Sequence, residues 1–154
     1  MSKLKTKAQL DKAADARLRK AYNITLKDYA YLERQSEGKC WISDRPPGTR
    51  RLHVDHDHSW KKVKIETLGN RLSGWAASAT YNGVCYVAGG PKKSLAVRAL
   101  KQKLLRASIR GLLSYNMNTG IQKFSDDPAL LRAAADYLEN FRKKSPLTGR
   151  MENA

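Results

Sequence analysis

The sequence predicts an α+β fold, mainly helical with short strands, and three observations carry that reading. Four stretches repeat apolar residues at helical spacing behind capping residues. One stretch alternates apolar and polar residues at strand period, and another holds an Asn-Gly hairpin turn. With 41% hydrophobic residues in a chain of 154, there is enough apolar content for one domain with an elaboration, and global disorder is excluded.

Lys7 to Tyr22 is expected to form an amphipathic helix, with Leu10, Ala14 and Leu18 at four-residue spacing among Lys and Arg. Thr25-Leu26-Lys27-Asp28 reads as the start of a second helix, with Thr25 at the N-cap and an acid three residues on. It carries Leu26, Tyr29 and Leu32 and is expected to stop at Gly38, a natural residue for the left-handed position after a helix. Cys40 to Gly48 reads as a short strand or knuckle ending in the turn Arg45-Pro46-Pro47-Gly48. From Arg51 to Asp57, Leu52 and Val54 fall on one parity and His53 and Asp55 on the other, as in a strand. Leu68 to Gly90 is rich in small residues, and Tyr81-Asn82-Gly83-Val84 is a hairpin turn in which Asn-Gly supplies the positive φ angles. Pro91 and Ser94 precede a basic helix to Ser108 whose apolar line is Val97, Leu100, Leu104 and Leu105. Asp127 caps a last helix with Pro128 in its first position; it runs through Leu131, Ala134, Ala135, Leu138 and Phe141, and Ser145-Pro146 ends it. No internal repeat is present.

Charge narrows the class of partner. Thirty Lys and Arg face 14 Asp and Glu, a net charge of +16. Residues 1–20 carry seven cations against two acids, and residues 60–110 carry eleven against Glu66 alone. Clustering of this kind is the footprint of phosphate-backbone binding, a solvated basic surface being the bland reading. The candidate DNA contacts are Lys61, Lys62, Lys64, Arg71, Lys92, Lys93, Arg98, Lys101 and Arg110. An anionic membrane surface is the weaker partner, since the basic helix has no Trp or Phe on its apolar face. No stretch approaches the ~20 apolar residues of a membrane span, and the basic N-terminus lacks the apolar core of a secretory signal. A cytoplasmic location is therefore expected. Two cysteines are too few for a disulfide scaffold, and Cys85 is expected to be a buried small hydrophobe.

All three histidines lie within six residues, in His53-Val54-Asp55-His56-Asp57-His58. On an unbroken strand His53, Asp55 and Asp57 would share one face and His56 and His58 the other; a break near Asp55 lets Asp55 and His56 reach one site. Asp is a hard oxygen ligand suited to Mg²⁺, and neutral imidazole, with a pKa near ~6.5, can take a proton from water. A carboxylate on a cation beside a histidine base is what water needs to attack a phosphodiester. Structural Zn²⁺ binding, phosphate contacts alone, or an incidental polar turn remain rival readings of the same residues.

With these residues placed, the sequence resembles the phage recombination endonuclease VII family, a branch of the HNH-like ββα-metal nucleases. Tyr22-Asn23-Ile24-Thr25-Leu26-Lys27-Asp28-Tyr29 looks like the family's leading helix, and Cys40-Trp41-Ile42-Ser43 sits at its Cys-x-x-Cys knuckle. Leu52-His53-Val54-Asp55-His56-Asp57-His58 matches its catalytic strand, and the run from Ile109-Arg110-Gly111-Leu112-Leu113 to Asn118 its second strand and knuckle. Ser125-Asp126-Asp127-Pro128 and the residues through Glu139 match its closing helix. The resemblance implies that Asp55 and Asn118 hold a catalytic Mg²⁺, with Mn²⁺ an acceptable substitute. It further implies that His56 activates the attacking water, and that His53 and His58 bind the scissile phosphate or assist at the metal. Taken alone, Asn118 before Gly120 would read as an ordinary turn residue. The implied protein is an α+β, mainly helical, metal-dependent DNA endonuclease with a ββα-metal finger core. It would be phage-encoded, work in the cytoplasm of a bacterial host, and cut branched DNA such as Holliday junctions as a homodimer. A non-catalytic architectural DNA-binding protein is the alternative, and a basic RNA-binding protein a further one.

Two departures from the family pattern matter. The family's four zinc cysteines correspond here to Cys40, Ser43, Ser114 and Met117, which cannot make a tetrahedral Zn²⁺ site. No structural zinc is expected, and the knuckle should instead be held by packing of Met117, Trp41 and Ile42. The chemical residues Asp55, His56 and Asn118 are all retained, which points to a replaced scaffold. The second departure is a basic insertion where the family has a short turn. The implied organisation is a helical arm (residues 1–21), a nuclease core (22–58 and 109–144), the insertion (59–108) and a tail (145–154). The insertion could supply stability, DNA-binding surface or both. Its Trp60, Trp75 and Tyr81 are expected to pack as its core, with stacking on exposed bases the rival reading.

Overall fold

The computed structural model describes residues 5–143. The tail at residues 145–154, including the expected Ser145-Pro146 stop, lies outside the described residues. The elements in chain order are α1 (Lys7–Tyr22), α2 (Leu26–Gln35), β1 (His53–His56), a 3₁₀ turn (His58–Lys62), β2 (Glu66–Asn70), β3 (Gly74–Tyr81) and β4 (Val84–Gly90). They continue with α3 (Lys93–Ala107), β5 (Ile109–Leu113), α4 (Tyr115–Lys123) and α5 (Pro128–Lys143). The chain is α+β, with a two-stranded sheet β1–β5 and a three-stranded sheet β2–β3–β4, both antiparallel. It divides into two compact units, Met1–Ser114 and Tyr115–Ala154.

In the first unit, α1 and α2 both open with capping boxes, Thr6 with Gln9 and Thr25 with Asp28, so each first turn has its orphan N–H groups satisfied locally. Asn23, left-handed at φ 56°, ends α1, and Asp15 accepts the Leu26 N–H at 2.7 Å, which ties the first helix to the start of the second. The end of α2 differs from expectation. Gly38 donates to Glu33 O and Glu37 to Arg34 O, a Schellman closure in which Glu37, not Gly38, takes the left-handed position at φ 51°. Gly38 follows it, also left-handed at φ 72°.

The knuckle is a turn, not a strand. It closes through Cys40 N–H to Arg45 O and Asp44 N–H to Cys40 O, both 2.9 Å, and is pinned to β5 by Trp41 N–H to Leu112 O at 3.1 Å. Trp41 and Ile42 are about half exposed, the group driven fully inside is Cys40, at 1%, and Met117 belongs to the second unit. Trp41 does lie flat enough on the strand that a Cβ at Gly111 would sit 2.8 Å from its ring, so position 111 admits only glycine without rearrangement.

Residues 59–108 build a core of their own. Residues Ala77, Ala79 and Tyr81 of β3, Ala88 of β4, and Ala96, Leu100 and Leu104 of α3 form one buried cluster, with Trp60 and Trp75 packed partly buried against it. The core reading of Trp60, Trp75 and Tyr81 therefore holds. Asn82 and Gly83 take φ 49° and 77°, the left-handed pair that a two-residue hairpin needs. Cys85 corrects the expectation of burial: it is exposed, because it pairs with Thr80 on the sheet face opposite the one that Ala77 and Ala88 present to α3.

Hydrogen bonds tie residues 81–108 to the segment 23–57. Tyr81 Oη donates to Asp57 at 2.9 Å, Asp57 N–H to Ser108 O at 2.9 Å, and Asn23 Nδ2 to Gln102 O at 3.2 Å. Arg106 forks onto both oxygens of Asp28, at 2.9 and 2.6 Å. The Arg106 guanidinium, with the Thr25 backbone N–H, holds the Asp28 carboxyl far below the usual carboxylate range. A depressed carboxylate stabilises the fold above its unfolded pKa of about 4, and that contribution is lost as pH falls through the lower folded value. Arg106→Ala is expected to lower stability near neutral pH by about 1 kcal/mol, the pair being partly exposed. The difference should narrow as pH falls below about 4 and be smaller at about pH 2 than near neutrality. Urea midpoints at both pH values check this; an equal loss at both would mean the arginine acts through its packing.

The second unit holds α4 and α5. Asp127 accepts the Ala129 N–H at 2.8 Å and Pro128 opens α5, as expected from the sequence.

Candidate active site

The histidine motif is positioned by strand pairing and anchored by its apolar parity. Leu52 and Val54 are buried together with Leu112 and Leu113, and the Tyr29 hydroxyl donates to Leu52 O at 2.9 Å. His53 pairs with Leu113, Val54 with Leu112 and Asp55 with Gly111, but His56 pairs with Ile109. The register skips Arg110, so a bulge falls between Asp55 and His56. The extra residue lies on β5, and β1 itself runs from His53 through His56 with no residue inserted.

Asp55 is 7% exposed, and its carboxylate is taken in a fork by Arg110: Nε to Oδ2 at 2.8 Å and Nη2 to Oδ1 at 2.9 Å. His56 is half-buried, edge-on to Tyr22 with centroids 5.5 Å apart and to His58 at 4.4 Å. Burial, then the positive charge that His58 can carry, push the His56 pKa below the ordinary imidazole value, against the opposing pull of Asp55. The ring is thus neutral at physiological pH and carries a free lone pair. Burial, with the Asp55 charge second, raises the Tyr22 pKa and keeps its phenol protonated.

The other sequence candidates fall as follows. His53 borders a groove of about 470 Å³ with Leu10, Arg17 and Tyr22 of α1. His58 starts the 3₁₀ turn, its ring against His56. Asp57 turns to structural work: it caps that turn by accepting from Ser59 N–H and Oγ and takes the Tyr81 hydroxyl. Asn118 lies inside α4 of the second unit, not in a turn. Lys61 and Lys62 sit on the 3₁₀ turn, Lys64 after it, and Arg71 between β2 and β3. Lys92 and Lys93 stand at the start of α3, Arg98 and Lys101 along it, and all of these are exposed. Sequence reasoning missed two partners. Arg110 was read as a DNA contact with no hint of its pairing to Asp55, and Tyr22 as a helix residue with no hint of its contact to His56.

The donor chemistry of the motif suits a hard divalent cation: one carboxylate, nearly buried, with a neutral imidazole beside it. Among the described residues no group of three or more His, Cys, Asp or Glu is gathered. At the knuckle, burial raises the Cys40 thiol pKa. Hydrogen bonds from the Ser43 hydroxyl and the Ser114, Ser43 and Ile42 backbone outweigh this and bring it to about 6.

No helix among the described residues is long and apolar enough to cross a membrane. The family model for recombination endonuclease VII matches residues 15–140. No curated protein and no solved structure gives a match.

Proposed function

Because the chain belongs to the recombination endonuclease VII family, we propose that it is a metal-dependent DNA endonuclease, phage-encoded, that hydrolyses phosphodiester bonds in branched DNA such as Holliday junctions. The observation that supports this reading best is His56, held neutral and half-buried one residue from a nearly buried carboxylate at a strand bulge. In this reading His56 takes the proton of the attacking water, and its contacts with Tyr22 and His58 fix the plane of the ring. His53 and His58 bind the scissile phosphate or assist at the metal. Asp55 and Asn118 would hold Mg²⁺, or Mn²⁺ in its place, which when bound supplies charge stabilisation at the phosphate and the leaving oxygen. The exposed cations of the insertion, from Lys61 to Lys101, track the phosphate backbone. A homodimer, presenting two sites to two strands, suits a junction, and the scaffold needs no structural zinc. The setting is the cytoplasm of the bacterial host.

A second reading, DNA binding without cleavage, is favoured by the Asp55–Arg110 fork, which occupies the carboxylate a metal would use. Purified protein incubated with four-way junction and linear duplex, each in Mg²⁺, Mn²⁺ or EDTA, separates the two. Cutting that EDTA abolishes, greater on the junction, is the expected result. Tight binding with no product in either metal would leave the architectural reading.

A further inference from the structure

We infer that Arg110 is an exchangeable counter-cation: in the metal-free protein it neutralises Asp55, and it leaves that carboxylate for the DNA phosphate when a divalent cation arrives. The inference rests on the nuclease reading above and adds a residue to it.

The geometry carries three points. First, the fork engages both Asp55 oxygens, at 2.8 and 2.9 Å. A guanidinium and a divalent cation at the same small carboxylate repel each other, and a cation bound there must share oxygens that the fork already engages. Binding at Asp55 therefore competes with the fork. Second, the pair is asymmetric: the Asp55 side chain is 10% exposed and the Arg110 side chain 39%. The acid is fixed in the strand, and the arginine has a route to solvent, so the arginine is the part that moves. Third, Arg110 is the residue that the β1–β5 register skips. A bulge residue is aimed by the backbone and left out of the ladder, which lets it be placed against Asp55 and released without breaking strand pairing.

The resting pair has a physical purpose. A carboxylate this buried, next to a half-buried imidazole, is costly as an uncompensated charge. Arg110 removes that cost until a metal replaces it. The released guanidinium then stands one position from Ile109, the partner of His56 across the sheet, and phosphate oxygens match its planar fork. DNA, by taking Arg110, lowers the cost of metal binding at Asp55. By reciprocity, metal strengthens the DNA contact by the same factor.

The test is Mn²⁺ binding, read by calorimetry or by the loss of the free Mn²⁺ electron-spin signal. Wild type, Arg110→Ala, Arg110→Gln and Arg110→Lys are compared with and without a junction, in a His56→Ala background so that no DNA is consumed. Without DNA, Arg110→Ala and Arg110→Gln should bind Mn²⁺ about tenfold tighter than the arginine parent, with Arg110→Lys between them. Adding junction should tighten Mn²⁺ binding by a similar factor in the parent and leave the alanine and glutamine variants nearly unchanged. Equal or weaker Mn²⁺ binding by both neutral variants, or equal coupling to DNA in all four proteins, overturns the inference. The glutamine variant keeps a donor for Asp55 and so guards against misfolding of the alanine one. If no protein binds Mn²⁺, the inference and metal dependence fall together. If the exchange is seen but wild type cuts no DNA, the exchange stands and the nuclease reading fails.

Discussion

His56→Ala is expected to cut the rate of junction cleavage by about 10²–10⁴-fold, the usual worth of a general base, while leaving junction affinity close to that of wild type. The reasoning runs through the environment of the ring. Burial and the neighbouring His58 keep it neutral, so its lone pair is available at the pH of the cell. Tyr22 and His58 both meet it edge-on, so its orientation is set before substrate arrives. Removing the ring deletes the proton acceptor but no cation, and phosphate affinity resides in the exposed lysines and arginines. Single-turnover cleavage with saturating enzyme, paired with gel-shift affinities for the same junction, measures both halves. A variant that cuts at the wild-type rate would move the base to another residue. One that loses binding and cutting together would assign His56 to phosphate contact instead.

The parts of the fold that were legible in the sequence are those written in a few consecutive residues. Thr25 with Asp28 specifies the start of α2, Asp127 with Pro128 that of α5, and Asn82-Gly83 the β3–β4 hairpin. Each is a local bond or a local dihedral preference. The histidine motif was legible for the same reason, as five ionisable groups in six residues; the register shift beside it, with its extra residue Arg110 on β5, was not. What stayed hidden depends on residues far apart in the chain. The Asp55–Arg110 fork joins positions 55 apart, Tyr81–Asp57 positions 24 apart, and Arg106–Asp28 positions 78 apart. No periodicity reports such pairs. The miss at Cys85 has a related cause: alternation assigns it to a sheet face, and only the position of α3 decides which face is inside. At the knuckle, apolar type suggested packing by Trp41 and Ile42, whereas backbone hydrogen bonds and the buried Cys40 close the turn.

Leu100→Ala is expected to destabilise the first unit by about 2–5 kcal/mol, a large part of the 5–15 kcal/mol that a domain of this kind possesses. Leu100 has no exposed surface and lies among Ala77, Ala79, Ala88 and Leu104, small neighbours on a paired sheet and helix that can close little of the cavity. The consequence reaches beyond the insertion. In small domains a structural zinc supplies ~10 kcal/mol or more, and the positions read here as Cys40, Ser43, Ser114 and Met117 hold a single thiol. In the proposed reading without structural zinc, residues 59–108, with their own core and their bonds to Asp28, Asp57 and Asn23, supply that contribution instead. The replacement predicts one cooperative transition. In a Trp60→Phe, Trp75→Phe background, Trp41 is the remaining tryptophan of the three and reports the knuckle alone. Its fluorescence midpoint in urea should coincide with the far-ultraviolet dichroism midpoint, and Leu100→Ala should move both by the same amount. A Trp41 midpoint that ignores Leu100→Ala would make the insertion an independent module, and the stability of the finger would then have to come from the knuckle hydrogen bonds and the β1–β5 pairing.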